Sequence, residues 1–254
     1  MTCDEIPLAG GNIGAGVVRV GTTVRRPSGP WSESVHGFLC HLASVGYDGA
    51  PRSLGFDDRG RHVVEFLVGD VPMPFVPTDH HDALQRVGRL IRDFHDAASS
   101  YLPPPSARWN VVIEPDGHDL ITHHDLAPWN LICGGQRWAF IDWDNTGPGT
   151  RLWDLAYAAH GFVPLNAATT PSESAARLSC FAAGYGLDEE QRVGLADLLQ
   201  RRIVSMYELL RRGAAHDEQP WARLWDEGHG DVWLADAQYV AAHEGVLRDG
   251  LLRG

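Results

Sequence analysis

Alternating apolar and polar residues along the first seventy positions predict short strands arranged around one helix. Residues 17–20 and 23–26 alternate on either side of a two-residue break at positions 21–22, a pattern typical of a hairpin. The helix is indicated by four apolar residues at helical spacing, Val35, Phe38, Leu39 and Leu42. Residues 62–68 form another apolar run, which ends at Gly69. This part of the chain therefore predicts a small sheet with one helix.

Beyond a stretch with three prolines at positions 69–77, the pattern becomes mainly helical. A long helix is indicated by the spacing of Leu84, Val87, Leu90, Ile91 and Phe94. Short apolar runs follow at 111–113 and 120–122, and a hairpin-like pair lies at 131–133 and 138–141. We therefore predict a few short strands between this helix and the rest of the chain.

The last hundred residues have helical periodicity almost throughout. Asp188 followed by Gln191 has the spacing of a capping box at the start of a long helix. Strands first and helices afterwards indicate an α+β fold. We predict two lobes: a small antiparallel-sheet lobe with one main helix at residues 1–69, and a large, mostly helical lobe at residues 70–254.

The acidic balance of the chain narrows the class of partner. Of 254 residues, 33 are acidic and 21 are Lys or Arg, which gives a net charge of −12. Such a field repels nucleic acid and anionic membrane surfaces and attracts cationic ligands. We therefore expect neither nucleic acid nor a membrane as a partner, and the charge favours a cationic ligand. The pattern does not indicate an oligomeric state.

The N-terminal residues and the cysteines predict a cytoplasmic protein. The first eleven residues lack the basic and apolar regions of a signal peptide, and no run reaches the roughly 18 apolar residues that a membrane span needs. Four cysteines lie far apart, without a C-x-x-C pair: Cys3, Cys40, Cys133 and Cys180. They predict reduced thiols, and neither a zinc site nor a disulfide framework.

Three polar residues follow predicted strands in the segment from 121 to 156. Asp125 comes after one apolar strand, Asn130 lies five residues on, and Asp142 ends the next strand pair. Phosphoryl transfer needs a carboxylate that orients the attacking hydroxyl and oxygen ligands that hold Mg²⁺ against nucleotide phosphates. One Asn and one Asp suit that ion, so this set predicts a phosphotransfer site.

The same segment resembles a known enzyme family. HHDLAPWN at 123–130 looks like the H-x-D-x-x-x-x-N catalytic loop of aminoglycoside phosphotransferases and their choline-kinase-like relatives. IDWD at 141–144 and GTRLWDLA at 149–156 are similar to two segments that follow in that family. The resemblance implies a two-lobed, protein-kinase-like fold, ATP or GTP as phosphate donor, Mg²⁺, and a hydroxyl of a small molecule as acceptor.

The resemblance also assigns roles to residues. It makes Asp125 the catalytic carboxylate and Asn130 and Asp142 the metal ligands. It makes His123 a buried strut near the metal-binding segment and Asp154 a brace of the catalytic loop from a helix start. Two further residues are left open: Asp144 touches a second Mg²⁺ or caps the following turn, and we favour the turn. His124 takes a place often held by glycine.

On the nucleotide side, the resemblance implies a glycine-rich turn over the phosphates, formed by Gly10, Gly11, Asn12 and Gly14. Strand alternation puts Arg26 on the same face as Val24 and Arg25 on the other, so we favour Arg26 as the phosphate contact, with Arg25 second. The family's lysine is thus replaced, and His36 stands where its partner glutamate is usual. Phe66 and Val68 resemble the hinge that meets the purine.

The histidines and the D-x-x-x-x-N pattern each have a simpler interpretation. His123, His124 and Asp125, or the string at 79–82, could indicate a transition-metal site. Adjacent strand residues point to opposite faces, so His123 and His124 do not readily share one ion. A single D-x-x-x-x-N pattern is weak evidence alone, and its value comes from the accompanying Asp142 and Asp154.

The acceptor is less well indicated than the reaction. Acidic residues of the helical part alternate with tryptophans in a set that suits ammonium groups: Asp217, Glu218, Trp221, Trp225, Asp226, Glu227, Asp231, Trp233 and Asp236. A solvated acidic face over a tryptophan-anchored core explains the same pattern. We expect a cationic acceptor such as an aminoglycoside. The alternative is a catalytically weak nucleotide-binding regulator, which Arg26 and His36 would favour.

Overall fold

The computed structural model describes residues 4–8, 16–73, 75 and 80–253. Its first part is a five-stranded antiparallel sheet in the order β1-β2-β3-β5-β4. The strands are β1 (Ile6–Pro7), β2 (Val18–Val20), β3 (Thr23–Arg26), β4 (Ser53–Phe56) and β5 (His62–Glu65). The predicted hairpin is confirmed, because β2 pairs with β3 across a turn in which Gly21 has a φ of 61°. That left-handed conformation is one that glycine adopts without steric cost.

Strand β5 is shorter than predicted. The apolar run to residue 68 indicated one strand, but β5 ends at Glu65, where its neighbour β3 begins at Thr23. The next residue, Phe66, donates its backbone N–H to the Thr22 carbonyl at 2.9 Å. Pairing therefore stops because the partner strand turns away, which a hydrophobic run alone does not reveal.

Helix α1 (Ser32–Ser44) packs its apolar face into the core that the sheet shares with the helices. The four residues predicted to lie on this face are at most 2% exposed: Val35, Phe38, Leu39 and Leu42. Each such side chain stabilises the fold by ~1.5–3 kcal/mol relative to an exposed position. The sheet contributes Val24 and Val64 to the same core.

The rest of the chain is helical apart from two short strand pairs, and the predicted α+β fold is confirmed. The helices are α2 (His80–Ala98), α3 (Arg151–Phe162), α4 (Pro171–Tyr185), α5 (Glu189–Ala215), α6 (Trp221–Asp226), α7 (His229–Ala242) and α8 (Glu244–Arg253). The paired strands are β6 (Leu120–Thr122) with β9 (Gly147–Gly149), and β7 (Leu131–Gly134) with β8 (Arg137–Phe140). The predicted strand at 111–113 is wrong, since that segment only bends. Along the described ranges, no helix combines the length and apolarity that crossing a bilayer requires.

Two glycines allow α2 and α4 to cross closely. A Cβ on Gly88 would lie 2.4 Å from the Phe181 carbonyl oxygen, and one on Gly184 would lie 2.3 Å from that of Gln85. Larger residues would push the helices apart. The helix that follows, α5, begins at the predicted capping box: Asp188 Oδ1 accepts the N–H of Gln191 at 2.9 Å.

The chain passes from the sheet to the helical part along strand β7. Asp70 and Cys133 exchange backbone hydrogen bonds, with N···O distances of 3.1 and 2.8 Å. A Cβ on Gly69 would lie 2.7 Å from the Cys133 backbone, so this approach needs glycine. The segment around residues 69–70 is therefore held against strand β7 of the helical part. A boundary between lobes at residue 69 stays a prediction.

Candidate active site

Asp125 lies in the loop between β6 and a short 3₁₀ turn, Pro128–Asn130, with both carboxylate oxygens held. Oδ1 accepts from the Tyr157 hydroxyl at 2.8 Å, and Oδ2 accepts from Nδ2 of Asn130 at 2.9 Å. Burial raises the pKa of Asp125 to about 7, assisted by the nearby Asp142 carboxylate and opposed by these two hydrogen bonds. A carboxylate with a pKa near neutrality suits proton transfer from a hydroxyl.

Asn130 and Asp142 lie on two segments that a backbone hydrogen bond joins. The Asn130 amide nitrogen is used on Asp125, which directs the amide oxygen away from that carboxylate. The backbone carbonyl of Asn130 accepts the N–H of Ile141 at 2.8 Å. Asp142 follows Ile141 in the chain, so its backbone lies close to that of Asn130. One amide oxygen and one carboxylate oxygen are ligands that Mg²⁺ accepts when phosphate and water complete its shell. The pair therefore fits a magnesium ion shared with a nucleotide.

Asp142 stands on a rigid base although its backbone is left-handed, with φ 62° and ψ 61°. The next residue, Trp143, is 3% exposed and donates its indole N–H to the Phe140 carbonyl at 2.8 Å. Its ring also meets that of His123 edge-on, with centroids 4.6 Å apart. A left-handed non-glycine residue costs about 1–2 kcal/mol, which the packing around Trp143 must offset.

Arg26 reaches this acidic pair from the sheet. Its Nη2 donates to Asp142 Oδ1 at 2.5 Å and to Asp144 Oδ2 at 2.8 Å. Burial alone would lower the pKa of Arg26, but the two carboxylates more than compensate and raise it. Arg25 points elsewhere, towards Asp57 at 3.6 Å. Of the two candidate arginines, Arg26 is thus the one brought to the site.

Two expectations around Arg26 are changed. We favoured Asp144 as a cap of the following turn, but its carboxylate pairs with Arg26, and the 3₁₀ turn Trp143–Asn145 has no side-chain cap hydrogen bond. His36, which stands where the family's glutamate is usual, contacts the Ser53 hydroxyl through Nδ1 at 2.8 Å. The counter-ions of Arg26 are therefore Asp142 and Asp144 of the helical part. Among the described residues, helix α1 supplies none.

His123 connects the catalytic loop to the segment before Asp142. Its Nε2 lies 3.0 Å from the Ile141 carbonyl oxygen, and its Nδ1 accepts the N–H of Asp125 at 3.2 Å. Burial lowers the pKa of His123, which favours the neutral ring that donates at Nε2 and accepts at Nδ1. The imidazole is thus placed to set the distance between the two segments.

Asp154, at the start of α3, collects donors from the catalytic loop. Its carboxylate accepts the backbone N–H of His123 at 3.2 Å and of His124 at 2.8 Å, and Nε2 of His95 lies 3.2 Å away. Burial would raise the pKa of Asp154, but the hydrogen bond and charge of His95 outweigh burial and lower it. The predicted brace is thus in contact with the loop, together with His95, which sequence patterns did not indicate.

His124 has the backbone conformation that explains why glycine is usual there. Its φ is 66°, in the left-handed region. Its ring is accommodated because Nε2 contacts the Pro148 carbonyl oxygen at 3.0 Å and because Gly149 has no Cβ, which would lie 3.1 Å from the ring. His123 and His124 therefore have different partners. Within the described ranges, no three His, Cys, Asp or Glu side chains cluster as a metal site.

Two residues beside Asp125 were missed at the sequence level. Tyr157 lies three residues after Asp154, on the same side of α3, so helical spacing could have indicated it. Arg202 of α5 packs its guanidinium 4.3 Å from the centroid of the Tyr157 ring and donates to the His124 carbonyl at 3.4 Å. No local pattern connects residue 202 to the catalytic loop, because that contact depends on how α5 packs.

The predicted nucleotide contacts are only partly described. Gly10, Gly11, Asn12 and Gly14 lie outside the described residues.

The hinge candidates of that side are described. The Phe66 ring lies 3.9 Å from the Arg19 guanidinium carbon and packs against the core. Val68 is 81% exposed, so its side chain is not packed into the core.

The acidic and tryptophan-rich set is dispersed rather than gathered at one surface. Trp233 of α7 stacks on His160, with centroids 4.3 Å apart, and lies parallel to Tyr157 at 6.2 Å. Asp236 is 8% exposed and contacts Nε2 of His160 at 2.8 Å. Trp225 packs instead against Tyr207. Within this set, Trp233 and Asp236 are thus linked to the site through the residues of α3.

A separate groove of about 890 Å³ shares no residue with this site. Its lining includes arginines and aspartates from α2, among them Arg86, Arg89 and Asp93. Arg86 packs over Trp138 and donates to the Gln136 carbonyl. The groove carries both signs of charge and contains none of Asp125, Asn130 and Asp142, so we do not assign the reaction to it.

Comparison with known proteins identifies the family to which the chain is similar. A model of the family described as "Phosphotransferase enzyme family" matches residues 19–196. A protein named "Trifolitoxin immunity protein", from Rhizobium leguminosarum bv. trifolii, is 32% identical over 246 residues, which cover 87% of this chain and 92% of that protein. The residues matched by the family model include the described site residues from 26 to 157.

Solved structures show the same architecture. A choline/ethanolamine kinase family protein from Mesorhizobium loti has a TM-score of 0.69 at 16% identity, over 100% of this chain and 94% of that one. An amicoumacin kinase, solved in complex with AMP-PNP, Ca²⁺ and Ami, has a TM-score of 0.63 at 13% identity, over 98% of this chain and 88% of that one. These likenesses confirm the two-lobed, protein-kinase-like fold.

Proposed function

This chain belongs to the phosphotransferase enzyme family, and from that premise we propose that it moves the γ-phosphate of ATP or GTP to a hydroxyl of a small, cationic molecule in a Mg²⁺-dependent reaction. One observation carries the proposal. Asp125 is held at both carboxylate oxygens while Asn130 and Asp142 offer oxygen ligands beside it. This is the arrangement that phosphoryl transfer needs, with a base for the acceptor next to ligands for the phosphate-bound ion.

The chain's own residues would divide the work as follows. Asp125 orients the acceptor hydroxyl and takes its proton as the acceptor oxygen bonds to the γ-phosphorus and the bond to the β-phosphate oxygen breaks, leaving ADP or GDP. Arg26 contacts phosphate oxygens from the sheet side. His123 and Asp154 hold the loop in place. Mg²⁺, held by Asn130 and Asp142, supplies positive charge that offsets the phosphate charge.

The acceptor is proposed from charge and from the relatives' names. A net charge of −12 favours a cationic ligand. One relative is named for immunity to trifolitoxin, and one structural neighbour for phosphorylating amicoumacin. We propose that this chain phosphorylates a toxin- or antibiotic-like small molecule in the cytoplasm, and that modification of the molecule protects the cell.

The decisive experiment measures ADP and GDP release over a panel of aminoglycosides, amino alcohols, sugars and peptide antibiotics. With the right acceptor, we expect Asp125→Asn to lower kcat by roughly 10²–10⁴, the contribution typical of a positioned base. Asp249→Asn is the matched control, because Asp249 is exposed and pairs with Arg253 on the last helix. Equal release from wild type and Asp125→Asn would remove Asp125 from the mechanism.

A catalytically weak, nucleotide-binding regulator is the second candidate. Two observations favour it. Arg26 pairs with Asp142, so the carboxylate proposed to bind the metal is already engaged by a side chain. His36 also stands at the position where the family usually has a glutamate. Calorimetry with Mg²⁺ and ATP, together with the acceptor panel, separates the candidates. Tight nucleotide binding without turnover, and protection of a sensitive strain that Asp125→Asn still provides, would favour the regulator.

A further inference from the structure

The hydroxyl of Tyr157 is the second hydrogen-bond donor to the catalytic carboxylate. Tyr157 is 5% exposed, and its O–H donates to Asp125 Oδ1 at 2.8 Å, while Asn130 donates to Oδ2 at 2.9 Å. The carboxylate therefore has one donor on each oxygen, from two different elements. Rotation of the carboxylate about its Cβ–Cγ bond would break both hydrogen bonds together.

Residues far apart in the chain hold the Tyr157 ring. The Arg202 guanidinium of α5 lies 4.3 Å from the ring centroid, a cation–π distance. The Trp233 ring of α7 is nearly parallel to it, at an angle of 11° and a centroid distance of 6.2 Å. The phenol is thus fixed between two helices, and it transmits their placement to Asp125.

We propose that Tyr157 is a positioning residue, which keeps the carboxylate of Asp125 turned towards the acceptor hydroxyl; this inference rests on the proposed phosphotransfer. Asn130 would also hold the proposed metal ion, so its hydrogen bond alone would couple the carboxylate's orientation to metal occupancy. Tyr157 makes that orientation independent. A carboxylate oxygen has two lone pairs, so Oδ1 can accept from the phenol and still face the acceptor.

Tyr157 stays a donor throughout the reaction. Burial, together with the neighbouring Asp125 carboxylate, raises the pKa of Tyr157 well above its usual range. The acceptor's proton therefore passes to Asp125 while the phenol keeps its own. Tyr157 is for this reason assigned to orientation and not to proton transfer.

The test compares Tyr157→Phe with Tyr239→Phe. Each variant deletes one buried phenol oxygen, but Tyr239 bonds to Thr169 and Ser174, away from Asp125. For Tyr157→Phe we expect kcat to fall about tenfold or more, as for a lost hydrogen bond to a charged group, with the KM for nucleotide unchanged. Tyr239→Phe should keep the wild-type kcat. An unchanged kcat in Tyr157→Phe, or an equal loss in both variants, overturns the inference.

A double-mutant cycle separates orientation from general loss of structure. In an Asp125→Asn background the carboxylate is absent, so Tyr157→Phe should lower the residual kcat no further. An equal fold-loss in both backgrounds would mean a structural effect alone and would overturn the inference. A wild-type protein that turns over no acceptor overturns the proposed function and this inference with it, whereas active wild type with an unaffected Tyr157→Phe overturns only the inference.

A second variant covers failure of Tyr157→Phe to fold, which thermal unfolding would reveal. Trp233→Phe leaves Tyr157 in place but reduces the ring stacked on it. We expect a smaller loss in kcat, about threefold, again with an unchanged KM for nucleotide, because the phenol is held less firmly. A wild-type kcat for Trp233→Phe in that case counts against the role of Tyr157.

Discussion

At the residue scale, one nitrogen atom of Arg26 joins two carboxylates that would otherwise repel each other. Nη2 contacts both Asp142 and Asp144, and the Arg26 side chain is 16% exposed. The positive charge of the guanidinium offsets the repulsion between the two negative carboxylates. Arg26 therefore offsets the negative charge at the end of the site where the proposed metal ion and phosphates would lie.

We predict that Arg26→Met raises the KM for nucleotide by about tenfold or more, because a charge-assisted contact is lost. Arg26→Lys should lose less, since a single nitrogen makes both contacts and an ammonium group can replace it. Arg25→Met is the matched control, because Arg25 faces Asp57. Steady-state kinetics with varied nucleotide decide the matter, and a larger defect in Arg25→Met would reverse the assignment.

At the element scale, helix α1 is joined to the sheet by contacts between histidine rings and a serine hydroxyl in place of an ion pair. The Ser53 hydroxyl of β4 lies 2.8 Å from Nδ1 of His36 and 2.6 Å from Nε2 of His62, on β5. His62 is 3% exposed and stacks on Phe56. Burial, with smaller effects from the charges of His36 and Arg26, lowers the pKa of His62 to about 4.

This contact predicts a pH-dependent stability. The native pKa of His62 lies below its usual value, so as the pH falls the unfolded chain binds the proton first. The stabilisation is complete above about pH 7 and is lost as the pH falls towards 4, with a loss of about 2 kcal/mol between pH 7.5 and 5. Urea unfolding of wild type and His62→Gln over this range measures it.

The control for this prediction is His118→Gln, since His118 is mostly exposed. His62→Gln should flatten the dependence of the unfolding free energy on pH, whereas His118→Gln should leave it as in wild type. If wild type and His62→Gln lose stability in parallel, His62 does not titrate in this range.

At the scale of the whole molecule, Arg137 connects the helical part to the five-stranded sheet. From β8 it donates to both oxygens of Glu65 on β5, at 2.8 and 3.2 Å, and to the carbonyls of Asp48 and Ala50. These hydrogen bonds, with the backbone pair of Asp70 and Cys133, cross between the two parts of the fold. The position of Arg26 over Asp142 depends on this alignment.

We predict that Arg137→Met lowers the free energy of unfolding by about 1 kcal/mol. The ion pair with Glu65 contributes little because it is partly exposed and screened by solvent, but the carbonyls of Asp48 and Ala50 also lose a charged donor. It should also raise the KM for nucleotide, because Arg26 and Asp142 belong to opposite sides of this contact. Arg211→Met is the matched control, since Arg211 pairs only locally with Glu208 on an exposed face. Equal effects of both variants on unfolding and KM would contradict a role in aligning the two parts.

Five features could be predicted from the amino-acid sequence alone: the α+β class, the hairpin, the buried face of α1, the capping box of α5 and the residue set 125, 130, 142 and 154. These features are local: strand alternation, helical spacing and short motifs are written in neighbouring residues. The family resemblance supplied the two-lobed fold, and the roles of the site residues stay predictions.

Three features follow from the packing of distant segments and could not be predicted: the end of strand β5, the pairing of Asp144 with Arg26, and the contacts that Tyr157 makes with Asp125 and Arg202. Each depends on residues tens to more than a hundred positions apart. The energy of such contacts comes from burial and charge at close range, and the chain brings those partners together only when its helices and sheet pack.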